Sequence, residues 1–158
     1  MDEVKKQFLQ NDFVPLLQKI DFTTKPQWGK MNAQQMLEHV SGFFKLSTDK
    51  LHMPLVTAPE NLPKFKAFLT SEKEFRENTR APVLPEDPIP VRTKDITEAR
   101  TELEQEVKDF FDFFRDDPKK TTLHPVFGDL NSSEWVLLHY KHVKHHLKQF
   151  GVMLNVEC

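Results

Sequence analysis

The chain has 158 residues, enough for one compact domain with its own hydrophobic core. With 38% hydrophobic and 29% charged residues, its composition is that of a folded soluble protein. No run of about 18 apolar residues is present to form a transmembrane helix. The 22 lysines and arginines against 24 aspartates and glutamates give a net charge of −2, which argues against the broad basic surface of a nucleic-acid-binding protein. We therefore expect one domain over residues 1–158 that binds neither nucleic acid nor membrane.

The residues at the two ends of the chain predict a cytoplasmic location. No apolar segment typical of a secretory signal follows Met1. The chain has one cysteine, Cys158, which suits a reducing compartment because no internal disulfide can form. We do not expect this terminal cysteine to act as a nucleophile or a metal ligand.

Apolar residues at helical spacing predict the first two helices. The first covers residues 3–19, where Pro15 is expected to kink or end it. The second starts at Asn32 and runs to about residue 48. Its N-terminus has the pattern of a capping box, in which Asn32 and Gln35 each accept a hydrogen bond from the other's backbone amide.

A long crossover separates these helices from the second half of the chain. Residues 52–95 contain seven of the eleven prolines and are expected to pack as an extended segment over the outside of the domain. A short helix is predicted within it at Leu62–Asn78. The third long helix follows, capped by Asp95 with Glu98 as its third residue, and ends before Pro118.

The fourth helix is predicted to begin at Asn131 or Ser132, where Glu134 completes another capping box, and to end at Phe150 before Gly151. Four long helices with one long crossover predict an all-α protein built as a four-helix bundle.

Histidines concentrate on the fourth helix, which carries four of the seven. His142 and His146 lie one turn apart on one face, so both imidazoles can bind a single divalent cation. His39 is placed toward the core by the apolar pattern of the second helix and can supply a third ligand. Three histidines leave a coordination position for water or substrate, the arrangement of a catalytic metal site. The alternative is that they are partly buried, hydrogen-bonded helix residues.

The pH dependence of such a site follows from the chemistry of imidazole. Because imidazole binds a metal only when it is neutral, the affinity is predicted to fall as the pH drops through about 6.5.

The other histidines are weaker candidates. His139 could replace one ligand, but a flanking polar role is the simpler interpretation. His145 points about 100° away from His146, so the two cannot readily share an ion. His124 is expected to be a loop histidine satisfied by backbone groups, and His52 is expected on the surface.

Two glutamines and three lysines complete the set of polar candidates. Gln35 and Gln149 each lie one turn from a proposed ligand, where they could orient an imidazole or simply be solvated. Lys141, Lys144 and Lys148 are predicted on the far, solvated side of the fourth helix, with contact to the acidic third helix of a second subunit as the alternative.

Parts of the sequence resemble the DinB-like (YfiT-like) metalloenzyme superfamily, and most closely its branch described as a domain of unknown function. The similar segments are LEHV at 37–40, HPVFG at 124–128 and EWVLLHYKHVKHHLKQF at 134–150. That superfamily has a four-helix bundle with one histidine on the second helix and an H-x-x-x-H pair on the last long helix, followed by x-x-Q. His39, His142, His146 and Gln149 match this pattern.

The resemblance implies a bound Zn²⁺, Ni²⁺ or similar ion, a transferase or isomerase reaction that uses a low-molecular-weight thiol, a small-molecule substrate and a homodimer. The long crossover departs from the smaller members, and we expect it to form the rim of any pocket. The alternative function is a non-catalytic metal-binding or partner-binding protein, with a fully occupied site sealed by Trp135 and Met36.

Overall fold

The computed structural model describes residues 1–77 and 84–152, which are mostly helical with one small two-stranded sheet. In chain order the elements are α1 (Glu3–Gln7), α2 (Phe13–Leu16), α3 (Ala33–Ser47), α4 (Leu62–Thr70), α5 (Ile96–Arg115), β1 (Thr122–His124), β2 (Gly128–Leu130) and α6 (Ser132–Gln149). The helix predicted over Leu62–Asn78 ends earlier, at Thr70, because residues 71–77 leave the helix to pack along α6; Asn78 itself and the terminal Cys158 lie outside the described residues. Within the described parts of the chain, no helix is both long and apolar enough to cross a membrane.

The predicted first helix is continuous in its course but irregular in its hydrogen bonding. A π-helical turn, Phe8–Asp12, joins α1 to α2, and a 3₁₀ turn, Leu17–Lys19, follows α2. Pro15 was expected to kink or end the helix, but helical turns continue past it to Lys19, and the wider π turn lies just before it. The proline has no amide hydrogen, and its ring crowds the carbonyl of Asn11 four residues back, so a wider turn there relieves the clash.

The N-termini of the three long helices show how far local sequence determines structure. The capping boxes predicted for α3 and α6 are both formed, at Asn32 and Asn131. For α5, the side chain of Asp95 accepts from the amide of Glu98 at 2.8 Å, as predicted. The carboxylate of Glu98, however, accepts from the amide of Lys94 at 2.5 Å, one residue outside the helix cap.

A short β-hairpin is the clearest departure from the predicted all-α fold. β1 and β2 pair antiparallel, with His124 opposite Gly128. Gly128 has a φ of +80°, a left-handed conformation that favours glycine at the end of this turn. Strands of three residues are too short to show an alternating apolar pattern, so no pattern in the sequence predicted them.

α3 lies at the centre of the core and contacts α5, α6 and β1. The apolar faces predicted for the long helices are buried, including Met36, Val40 and Phe44 of α3, Leu103 and Phe110 of α5, and Trp135 and Val143 of α6. The hairpin is fixed to this core by hydrogen bonds. The indole of Trp135 donates to the hydroxyl of Thr122 at 2.7 Å, and this hydroxyl donates to the carbonyl of Ser47 at 2.9 Å.

The lysine side of α6 is not the solvated face that the sequence predicted. Lys141 is only 8% exposed and donates to backbone carbonyls just beyond α4. Lys144 and Lys148 both pair with Glu74, at 2.9 and 2.7 Å. The crossover segment at residues 71–77 thus covers this face, and the lysines are used within the chain.

Candidate metal centre

Three histidines from two helices converge on one point. His39 projects from α3, and His142 and His146 project from successive turns of α6. The Nε2 atom of His142 lies 3.0 Å from the Nε2 of His39 and 3.0 Å from the Nε2 of His146. One nitrogen from each residue lies within 4.8 Å of the others, so the group has the dimensions of a metal-binding set.

The chemistry of these nitrogens fits a cation better than it fits hydrogen bonding among the rings. In one imidazole, Nε2 has a single in-plane position, which carries either a hydrogen or a lone pair. The Nε2 of His142 therefore cannot make two linear hydrogen bonds to its two neighbours at once. Two nitrogens that each bind one ion at about 2.0–2.1 Å lie about 3.0 Å apart when the angle at the ion is near 90°. A divalent ion would thus use all three lone pairs.

The protonation states also favour metal binding. Burial, and next the charge of His145, lower the pKa of His39 to about 4. Burial likewise lowers the pKa of His142 and His146 well below 6.5, reinforced by the other imidazoles of the cluster. All three rings are therefore neutral at pH 7, with lone pairs available for a cation. The loss of metal affinity that the sequence predicts near pH 6.5 would then be expected at a lower pH.

No carboxylate belongs to this group of ligands in the described part of the chain. Glu38, next to His39 in sequence, points elsewhere and accepts from the backbone amides of Arg92 and Thr93, each at 3.1 Å. Three neutral imidazoles would leave the full double charge on a bound divalent ion, which strengthens its action as a Lewis acid.

Gln149 fixes the orientation of His146. Its Oε1 lies 2.7 Å from the Nδ1 of His146, and its Nε2 donates to the carbonyl of Trp28 at 3.0 Å. When the Nδ1 hydrogen is donated to Gln149, the Nε2 lone pair faces the cluster. Gly29 makes room for this contact, since a Cβ at its position would lie 2.9 Å from the Gln149 amide nitrogen.

Sequence reasoning missed the part that Trp28 and Gly29 play. A usable signal was present, because Gly29 is one of only four glycines in the chain. Its φ of +81° requires a residue that tolerates the left-handed conformation.

The structure does not bring Gln35 to the cluster. Its side-chain oxygen accepts from the amide of Asn32 in the capping box, and its nitrogen donates to the carbonyl of Ile89 at 3.2 Å. The Nδ1 of His142 is buried and has no hydrogen-bond partner among the described residues. Gln35 thus caps the start of α3 and does not orient His39, whereas Gln149 does orient His146.

His139 and His124 lie in the core, outside the cluster. The Nε2 of His139 is 2.9 Å from the hydroxyl of Ser47, and its ring stacks on Phe44 with 3.8 Å between centroids. His124 accepts at Nδ1 from the amide of Phe127 at 3.2 Å and from that of the preceding residue at 3.0 Å. Backbone amides thus satisfy Nδ1 of His124, as its sequence context predicted. The residue is not in a loop, however: it is buried at the end of β1.

The remaining two histidines are outside the cluster as well. His145 lies between Trp28 and Phe75, with ring centroids 5.5 and 6.0 Å away. His52 is exposed, as predicted, with 78% of its side chain accessible.

The three histidines differ in their exposure as whole residues. His39 and His142 are partly exposed, whereas His146 is buried. Phe43 packs against the rings of His39 and His142, at 5.0 and 4.6 Å between centroids. Trp135, which would seal the cluster in the non-catalytic alternative, packs instead on His139 and His124.

The fold and the site define a mostly helical protein with a three-histidine cluster. In the comparison with protein families, the family model described as "Protein of unknown function (DUF1569)" matches residues 12–153. The chain therefore belongs to this family, and the matched range includes His39, His142 and His146. No curated protein and no solved structure matches the chain.

Proposed function

We propose that this protein is a divalent-metal-dependent enzyme whose ion is held by His39, His142 and His146. The observation that carries the proposal is the convergence of the three Nε2 atoms, two of them 3.0 Å from the third, in a way that hydrogen bonds alone do not satisfy. Zn²⁺ and Ni²⁺ are the ions we propose, because both accept imidazole nitrogen.

The reaction we propose is a transfer or isomerisation that uses a low-molecular-weight thiol and a small-molecule substrate. A divalent ion with an open position lowers the pKa of a bound thiol or water toward neutrality and so supplies a nucleophile. The chain's own residues contribute binding and orientation: three neutral imidazoles hold the ion, and Gln149 sets the hydrogen of His146 on Nδ1. Partial exposure of His39 and His142 supports access for a substrate.

We interpret the helical part of the fold as the four-helix bundle of the DinB-like superfamily. The first helical segment, α3, α5 and α6 would be its four members. The placement of one histidine on α3 and an H-x-x-x-H pair on α6, followed by Gln149, supports this interpretation. A homodimer and a cytoplasmic location stay predictions from the sequence.

Metal content tests the proposal directly. Protein purified without chelator and without a nickel affinity step should carry close to one divalent ion per chain by elemental analysis. The His142→Ala and His146→Ala variants should carry little, because two imidazoles bind an ion far more weakly than three.

The matched control is His145→Ala, which removes a histidine from the same helix but from outside the cluster. It should retain the metal content of the wild type. Equal metal content in all four proteins would overturn the ligand assignment.

A further inference from the structure

A cavity of about 750 Å³ is lined by His145, the residue that precedes the cluster residue His146 in the chain. Its walls come from the crossover segment 71–77, from α6 and from Trp28. Phe75 stands between this cavity and the cluster, with its ring centroid 6.4 Å from that of His142 and 6.0 Å from that of His145. Volumes of this size hold small organic ligands.

The cavity is positively charged in a chain that is negative overall. Five lysines and three glutamates line it, an excess of two positive charges, whereas the whole chain carries −2. An anion is the ligand that such a surface favours.

Glu74 shows which kind of anion the lysines fit. One of its carboxylate oxygens lies 2.9 Å from Nζ of Lys144, and the other lies 2.7 Å from Nζ of Lys148. The hydrogen bonds from Lys148 and Lys144 lower the pKa of Glu74 to about 2. Two ammonium groups one helical turn apart therefore take one carboxylate, with one oxygen for each.

Glu74 is not locked in this position. Its side chain is 49% exposed, and that of Lys148 is 46% exposed. Exposed ion pairs of this kind contribute only about 0–1 kcal/mol to stability, so an incoming carboxylate can replace Glu74 at modest cost. Trp28, Phe75 and Tyr140 add apolar and aromatic surface for the rest of a ligand.

We propose that this cavity binds the substrate of the histidine site, that the substrate is a small organic acid with an apolar body, and that its carboxylate takes the place of Glu74 on Lys144 and Lys148. The other end of the molecule would then pass Phe75 to reach His142. That the substrate reacts at a metal ion rests on the proposed function. The binding of its carboxylate to Lys144 and Lys148 requires no metal.

The test is a titration with phenylacetate in which the fluorescence of Trp28 is measured, once in chelator-treated protein and once in zinc-loaded protein. Of the two tryptophans, Trp28 lines the cavity and Trp135 is fully buried. Phenylacetate should bind both forms, and neutral phenylacetamide should bind much more weakly. Glu74→Gln should tighten phenylacetate binding about three-fold, because the internal competitor is lost, and Lys148→Gln should weaken it by a similar factor.

Glu72→Gln is the matched control, since Glu72 lines the same cavity and its substitution removes the same charge. If Glu74→Gln binds phenylacetate no more tightly than Glu72→Gln, or if the amide binds as well as the acid, the proposal is overturned. This result is independent of metal content: loss of carboxylate binding with one bound ion refutes the cavity alone. Carboxylate binding in a protein that takes up no ion refutes the metal site alone.

Discussion

Zinc added to metal-free protein at a thousand times its Kd should raise the free energy of unfolding by about 4 kcal/mol. The midpoint of thermal unfolding should rise by roughly 10 °C in a domain of this size. The physical reason is that the three ligands meet only in the folded chain, since His39 and His142 are 103 residues apart in sequence. Denaturant titrations at buffered free zinc concentrations measure the effect.

Two variants define the origin of this stabilisation. In the His39→Ala variant the free energy of unfolding should not depend on zinc, although His39 lies on a different helix from the other two ligands. His145→Ala should respond to zinc as the wild type does, because His145 is outside the cluster. An equal response to zinc in the His39→Ala variant would mean that the ion binds elsewhere.

The protein should lose stability as the pH falls from 6.5 toward 4, with His124 as one identifiable cause. Burial lowers the pKa of His124 to about 4, and only 5% of the residue is exposed. Its Nδ1 accepts two backbone hydrogen bonds, which protonation would abolish. The folded state therefore binds the proton less readily than the unfolded state, and His124 alone should cost about 2 kcal/mol of stability between pH 7 and pH 5.

His124→Asn tests this contribution, because an asparagine oxygen can accept in place of Nδ1 but does not titrate. In the presence of chelator, its free energy of unfolding should fall by about 2 kcal/mol less than that of the wild type between pH 7 and pH 5. Urea unfolding at the two pH values measures the difference. The cluster histidines titrate in both proteins, so their effects cancel in the comparison. Burial and next the charge of His124 lower the pKa of His139, so the measured difference includes this coupling between the two rings.

The exposed His52 provides the control for this experiment. His52→Asn should follow the wild type at both pH values. If His124→Asn follows it as well, the buried imidazole of His124 is not a source of the acid sensitivity.

The sequence was most informative where a structure depends on neighbours within one helix. The capping boxes of α3 and α6 each involve residues three apart, and both are formed. The spacing of His142 and His146 likewise sets both rings on one face of α6. His39 could be added because the apolar pattern of α3 places it beside the buried face, and it is indeed within reach of the other two.

The sequence failed where the decisive contact is distant in the chain. Lys144 and Lys148 looked solvated because their partner, Glu74, lies about seventy positions earlier in a segment without periodic pattern. Gln35 and Gln149 looked equivalent, since both are one turn from a histidine. Only the folded chain shows that the capping box occupies one of them and that the carbonyl of Trp28 holds the other toward His146.

We propose that the three histidines hold an ion that an outside molecule can reach. Visible absorption of the Co²⁺-loaded protein tests it most directly, because the d–d bands change when a new ligand enters the coordination shell. Titration with a small thiol should shift these bands in the wild type and in the control variant His145→Ala. No such bands should form in the three ligand variants, His39→Ala, His142→Ala and His146→Ala. A Co²⁺ spectrum that requires the three histidines but is indifferent to every added thiol and anion would contradict the claim and would favour a sealed, non-catalytic metal site.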